Sequence, residues 1–155
     1  MRLILLRIPD CYLIKELEVK QFLDTDSELH QILCGQKFIH NKAIRICGSF
    51  RPDFRIDVQS HTVVIEVDEH QHRSYDQVSE IDRMRRITDD MGWPCVFIRY
   101  NPDSYHENGK TIRISKSQRL LKLKQTVMYH LTRLWGQESI HYHKRMIIHK
   151  LYYDE

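Results

Sequence analysis

Two alternating segments constrain this chain most: RPDFRIDV over 51–58 and TVVIEVD over 62–68, joined by the polar link Gln59-Ser60-His61. Both repeat with period 2 and are rich in β-branched residues, which predicts a β-hairpin between Arg51 and His72. Side chains alternate faces along a strand, so Phe54, Ile56 and Val58 share one face while Asp53, Arg55 and Asp57 share the other. On the second strand Val63, Ile65 and Val67 lie opposite in facing to Val64, Glu66 and Asp68. Pairing Val58 with Val63, Ile56 with Ile65 and Phe54 with Val67 builds a wholly apolar ladder toward the core, and this ladder is expected to set the register. In that register Asp53 faces Asp68, and Arg55 faces Glu66.

Two carboxylates directly opposite one another have Cβ atoms roughly 5 Å apart and repel. A proton held at raised pKa, or a cation between them, offsets the repulsion. With Glu66 on the same face, Asp53, Glu66 and Asp68 surround one point, and hard oxygen ligands of this kind suit Mg²⁺ or Mn²⁺. The competing reading is an exposed polar face on which Arg55 neutralises Glu66 and water screens the rest. Just past the strand come Glu69, His70, Gln71 and His72. His72 is placed to exchange a proton near neutral pH, whereas His70 reads as a solvated loop residue.

Around the hairpin, Met1 to Ile8 reads as a strand and Tyr12 to Asp24 as a helix with a broad apolar face. Residues 36–49 suggest one or two strands interrupted at Gly48. Ser74 is expected to cap a helix reaching Met91, its core face built from Tyr75, Val78, Ile81, Met84, Ile87 and Met91, with Gly92 ending it. Cys95 to Tyr100 is a short apolar strand, and Asn108-Gly109 leads into another at Thr111 to Ile114. A helix over Ser117 to Trp135 and a last strand within Ile140 to Tyr153 complete the order. Strands alternating with helices predict an α/β fold, a central mixed β-sheet flanked by helices, in one domain over 1–155.

At 155 residues and 41% hydrophobic, the chain suffices for one core and not for two. Lys plus Arg number 24 against 21 Asp plus Glu, a balance of +3, which excludes a purely electrostatic nucleic-acid coat protein. Cys11, Cys34, Cys47 and Cys95 form no CxxC pair, which points to reduced thiols and an intracellular setting. The opening MRLILLRIP is too short in apolar run for a secretory leader or a membrane span. Gly109-Lys110-Thr111 echoes a phosphate-binding loop, but Ser104 stands where its glycine belongs, so nucleotide hydrolysis is rejected. His141 and His143 alternate as HxH without a second close ligand pair, a weak zinc signal.

Arg51-Pro52-Asp53-Phe54, then Ile65-Glu66-Val67-Asp68 and Gln71-His72, resembles the PD-(D/E)XK nuclease superfamily, in particular the branch similar to very-short-patch repair endonucleases. The likeness continues through Tyr75-Asp76, Asp82-Arg83, Gly92 and Val96-Phe97-Ile98-Arg99-Tyr100-Asn101, about the middle third of the chain. It implies a restriction-endonuclease-like core, Mg²⁺ (or Mn²⁺) held beside a scissile phosphate, and a DNA substrate. By position Asp53 is the motif aspartate and Glu66 the second motif acid, while Asp68 replaces the motif lysine. Gln71 and His72 are the local substitutes for that lysine, and Glu16, with Glu18 in reserve, is the candidate for the helix glutamate that many members carry.

DNA contacts are expected from Arg51, Arg55, Arg73, Arg83, Arg86, Lys110 and Arg113, which supply phosphate affinity rather than sequence information. At helical spacing Arg83 has Glu80 as an alternative partner, and Arg86 has Asp82 or Asp90. Two functions follow from the sequence: a Mg²⁺-dependent DNA endonuclease, or a noncatalytic nucleic-acid-binding module that keeps the fold. Oligomeric state is left open, a homodimer included.

Overall fold

The structure is a computed structural model that describes residues 11–44, 50–72, 76–136 and 144–155. The expected strand at Met1 to Ile8, the cap Ser74, Arg73 and the His141–His143 pair lie outside the described residues. Two helices, α1 (Cys11–Thr25) and α2 (Ser27–Leu33), precede a two-residue strand β1 (Ile39–His40). The hairpin follows as β2 (Phe54–Asp57) and β3 (Thr62–Val67), then α3 (Gln77–Met91) and β4 (Cys95–Tyr100). A small hairpin, β5 (Tyr105–Glu107) and β6 (Lys110–Ile112), leads to α4 (Lys116–Leu131) and the last strand β7 (Met146–Leu151).

The main sheet has the order β1-β2-β3-β4-β7. Pairing is antiparallel from β1 to β3 and parallel from β3 to β7, so the sheet is mixed, as expected. Helices cover both faces. Val19, Leu23, Leu29, Leu33, Leu123 and Val127 from α1, α2 and α4 pack on Phe54, Ile56, Val63, Ile65, Val96 and Ile98. On the other face Met84 and Ile87 of α3 pack on Val64, Cys95 and Phe97. The strands β3, β4 and β7 step in one direction while α3 and α4 lie on opposite faces, so the two crossovers have opposite hands. One of them therefore departs from the usual right-handed rule.

The hairpin register differs from expectation. Phe54 pairs with Ile65, Arg55 with Val64, Ile56 with Val63 and Asp57 with Thr62. A bond from Val58 N to His61 O at 2.9 Å closes the turn over Gln59 and Ser60. Relative to the expected ladder the pairing has moved by two residues. An even shift keeps every side chain on its face, so the apolar pattern cannot distinguish the two registers, and the turn decides. His61, although in the link, is buried: its Nε2 lies 3.0 Å from His130 O, and its ring lies against Trp135.

α3 differs too. Its N-cap is Asp76, whose carboxylate accepts from Val78 N and Ser79 N, and Gly92 ends it in the left-handed conformation at φ 76°. Only the C-terminal half of the expected apolar face is covered. Met84 and Ile87 are buried, whereas Val78 and Ile81 are 66% and 38% exposed. Leu134, placed on the core face of the last helix, is likewise exposed, and α4 stops at Leu131. No described helix is long and apolar enough to cross a membrane. Ile87→Ala should cost about 2–5 kcal/mol in urea denaturation. Val78→Ala should stay within about 0.5 kcal/mol, and equal losses at the two positions would contradict this packing.

Candidate functional site: a buried acid and arginine network

β3 is buried at every position, yet it carries Glu66. The register explains what surrounds that carboxylate. One step beyond the Phe54–Ile65 pair, Asp53 stands across from Glu66, so the opposed acids are Asp53 and Glu66, and not Asp53 and Asp68. Arg55, expected opposite Glu66, lies opposite Val64 and donates to Asp57 Oδ2 at 3.3 Å. On the other side of β3, the parallel pairing sets Arg99 of β4 beside Glu66.

Asp53 is fixed from two directions. Its Oδ2 accepts from Val67 N at 2.7 Å, and its carbonyl accepts from Asn41 N at 2.9 Å. Burial pushes its carboxyl pKa up to about 8, reinforced by the Glu66 charge; the Val67 N–H acts against this, while Glu16 and Asp68 add to it. Glu16, the expected helix glutamate, thus contributes to the field at this site from α1. Its Oε1 pairs with His40 Nε2 at 2.6 Å, and the His40 ring stacks on Phe54 at 4.9 Å. The reserve, Glu18, pairs instead with Lys116 at 3.0 Å.

Glu66 has its carboxyl pKa raised by burial, against the pull of Arg83, whose Nη1 donates to Glu66 Oε1 at 2.8 Å. Asp68 is fully buried and bound on its Oδ2 by Arg99 Nε and by the Tyr153 hydroxyl. Arg99 Nη2 also reaches Glu80 Oε2 at 2.6 Å. Burial acts to lower the Arg99 pKa, but the hydrogen bond and charge of Asp68 outweigh it and hold the guanidinium charged. Tyr153 is pushed the opposite way from ionisation, first by burial and then by the Asp68 charge. The result is a polar row across the α3 face: Asp53, Glu66 with Arg83, then Asp68 with Arg99, Glu80 and Tyr153.

The remaining expected residues scatter. Gln71 is tied to the C-terminal tail, its Nε2 donating to Asp154 Oδ1 at 2.8 Å and its Oε1 accepting from Asp154 N at 2.7 Å. It adopts a left-handed backbone at φ 57°, next to His70 at φ 51°. The His72 side chain lies outside what is described. Arg51 and Arg86 are exposed, and Arg83, offered Glu80 at helical spacing, takes Glu66 as its closest partner. Sequence reading missed Arg99 and Tyr153. An arginine inside the apolar strand CVFIRY was the available signal, since a charge placed there requires a buried partner.

A second acidic group lies past β3 and β4. Among the described residues, Glu69, His70 and Asp103 are the one group of three such side chains with ligand atoms all within 4.8 Å of one another; Asp53, Glu66 and Asp68 do not close so tightly. Lys15 of α1 already sits in this group, 2.5 Å from Asp103 Oδ1 and 3.6 Å from Glu69 Oε2. Beside the arginine network, a cleft of about 660 Å³ opens between α3 and β4–β7, lined by Glu80, Ile81, Met84, Arg99, Ile148 and Tyr153 among others.

Comparison with family models, curated proteins and solved structures finds no match in any of the three. What fold and site define is an α/β protein with a mixed five-stranded sheet carrying a buried acid and arginine network.

Asp53 keeps its proton in the folded, metal-free protein to about pH 8, and in the unfolded chain only to about pH 4. The folded value is the higher, so the stability this provides is full below about pH 4 and is lost as pH rises through about 8. In chelator, wild type should lose melting temperature relative to Asp53→Asn between about pH 5 and 8; a constant gap would mean that Asp53 holds no such proton. Arg99→Leu, which strands Asp68 and Glu80 without their cation, should cost about 3–5 kcal/mol in chemical denaturation. A loss under about 1 kcal/mol, as for an exposed ion pair, would refute the buried role.

Proposed function

We propose that this chain is a Mg²⁺-dependent DNA endonuclease of the PD-(D/E)XK kind, with a restriction-endonuclease-like core. One observation carries the reading. Asp53, the residue before β2, continues its register to face Glu66 of β3, and burial together with the Glu66 carboxylate pushes the Asp53 pKa up to about 8. A protein gains nothing in stability by burying two acids side by side, and such raised carboxyls cluster at functional sites. The donor set fits a hard divalent cation, because both groups offer carboxylate oxygens and both carry a penalty that a cation relieves. Asp53 and Glu66 would hold it, with Glu16 adding negative charge from α1. Asp68, bound by Arg99 and Tyr153, then supports the site from behind rather than from within.

Bound there, Mg²⁺ or Mn²⁺ would supply charge stabilisation for in-line hydrolysis and a more acidic water. The chain's own groups have separate tasks. Val67 N–H aims one Asp53 oxygen, leaving its partner directed elsewhere. Arg99 neutralises Asp68 and Glu80, acids that the reaction does not use. The attacking water adds to phosphorus, the bond to the 3′ oxygen breaks, and that oxygen leaves with a proton as the 3′ hydroxyl, opposite a 5′ phosphate. His72 remains the group proposed to pass protons, on sequence grounds. Arg51 and Arg86, both exposed, join Arg83 as phosphate contacts.

The second reading, a noncatalytic nucleic-acid-binding module, is favoured by one specific feature. Asp68 stands at the lysine position and is consumed by Arg99 and Tyr153, so no cation from β3 reaches a water at Glu66. A panel of labelled duplex, nicked, branched and single-stranded DNAs separates the two. With Mn²⁺ the wild type should cut at least one, and Asp53→Ala and Glu66→Ala should lose at least about a hundredfold in rate while melting cooperatively. Binding without cutting in both Mg²⁺ and Mn²⁺ would favour the module, and unchanged cutting by the two variants would sink the site assignment.

A further inference from the structure

The two arginines beside Glu66 are held in different ways. Arg99 is locked: its side chain is 5% exposed, and it is bound by Asp68 and by Glu80 on separate nitrogens. Arg83 is not. It reaches Glu66 from α3 through Nη1, its side chain is 29% exposed against 6% for the Glu66 side chain, and its helical neighbours Asp82 and Arg86 are exposed. Arg83 thus approaches the acid from the solvent side of the network, on a long and flexible stem.

We propose that Arg83 is a resident cation on Glu66 that yields the carboxylate when a divalent ion arrives and then holds the DNA phosphate undergoing hydrolysis. The inference rests on the nuclease reading and assigns Arg83 a role beyond general affinity for DNA. Its physical basis is charge count. Buried Glu66 requires a counter-charge in the metal-free protein, and Arg83 supplies it. A guanidinium and a divalent ion on one carboxylate repel each other, and of Arg83 and Arg99 it is Arg83 that has a route to solvent. Once displaced, its planar fork is suited to two phosphate oxygens at once, a geometry that a lysine ammonium does not offer.

The test follows Mn²⁺ binding by calorimetry, without DNA, for the full chain as wild type, Arg83→Gln and Arg83→Lys. Arg83→Gln should bind Mn²⁺ roughly tenfold more tightly, because the competing cation is gone, and Arg83→Lys should stay near wild type. In Ca²⁺ the glutamine variant should bind a fluorescent duplex several-fold more weakly than wild type by anisotropy, with no difference in chelator. Tighter metal binding joined to weaker DNA binding is a signature that a packing role does not produce, since lost packing weakens both. Equal or weaker Mn²⁺ binding by Arg83→Gln overturns the proposal. Absence of Mn²⁺ binding in all three proteins overturns the metal reading as well, a result distinct from wild-type binding that Arg83→Gln leaves unchanged.

Discussion

A glutamate in a strand buried on both faces sets the terms for everything near it. Glu66 lies in β3, between β2 and β4 and beneath α3, where an isolated carboxylate would bear a desolvation penalty of several kcal/mol. The parallel pairing of β3 with β4 places Arg99 in register with it, and α3 crosses so that Arg83 reaches its other side. The same pairing requires that Arg99 itself be balanced, which Asp68 and Glu80 accomplish. Each charge in the row thus fixes the element that carries its partner: β3 to β4 through Asp68 and Arg99, β4 to α3 through Glu80, and the C-terminal tail to the sheet through Tyr153.

This dependence explains why α3 packs with only half of its apolar stripe. Glu80 and Arg83 must reach the polar row, and Met84 and Ile87, one and two turns further on, fall on the apolar patch formed by Val64 and Phe97. Upstream of Met84 the apolar stripe is uncovered: Val78 is exposed, and Ile81 lines a cleft. Helical spacing alone identifies a stripe, but the point at which the stripe stops being core is set by the buried ion pairs.

The hairpin, the alternation of strands and helices and the mixed sheet were legible in the sequence because period 2 and period 3.6 are local signals. The register was not. Shifting β2 against β3 by two residues leaves Phe54, Ile56, Val63 and Ile65 on the same face, so hydrophobic patterning is blind to it. The information sits in the turn, where His61 accepts the backbone bond from Val58 and buries its ring against Trp135, a contact some 70 residues away in sequence. Asp53 and Glu66 were legible as acids on one strand face, but which acid Asp53 confronts follows from that turn. Arg99 and Tyr153 were hidden for a similar reason, since only the fold shows that they converge on Asp68.

The corrected register also changes the meaning of Asp68. Opposite Asp53 it would have been a third ligand arranged around one point. Two residues further along, behind Glu66, it is consumed by a guanidinium and a phenol and contributes to the site through Arg99, which it keeps charged. That charge lies in register with Glu66 and offsets part of the cost of burying it, while Arg83 offsets more from the solvent side. Among the described residues no cation is paired with Asp53, which keeps its proton instead. Among the described residues of the row, the acid without a paired cation is therefore the one that stands level with Glu66 on the neighbouring strand. A cation entering there would meet one carboxyl that holds a proton rather than a paired cation and a second whose guanidinium partner has a path out, an asymmetry that a symmetric cluster of three acids would not possess.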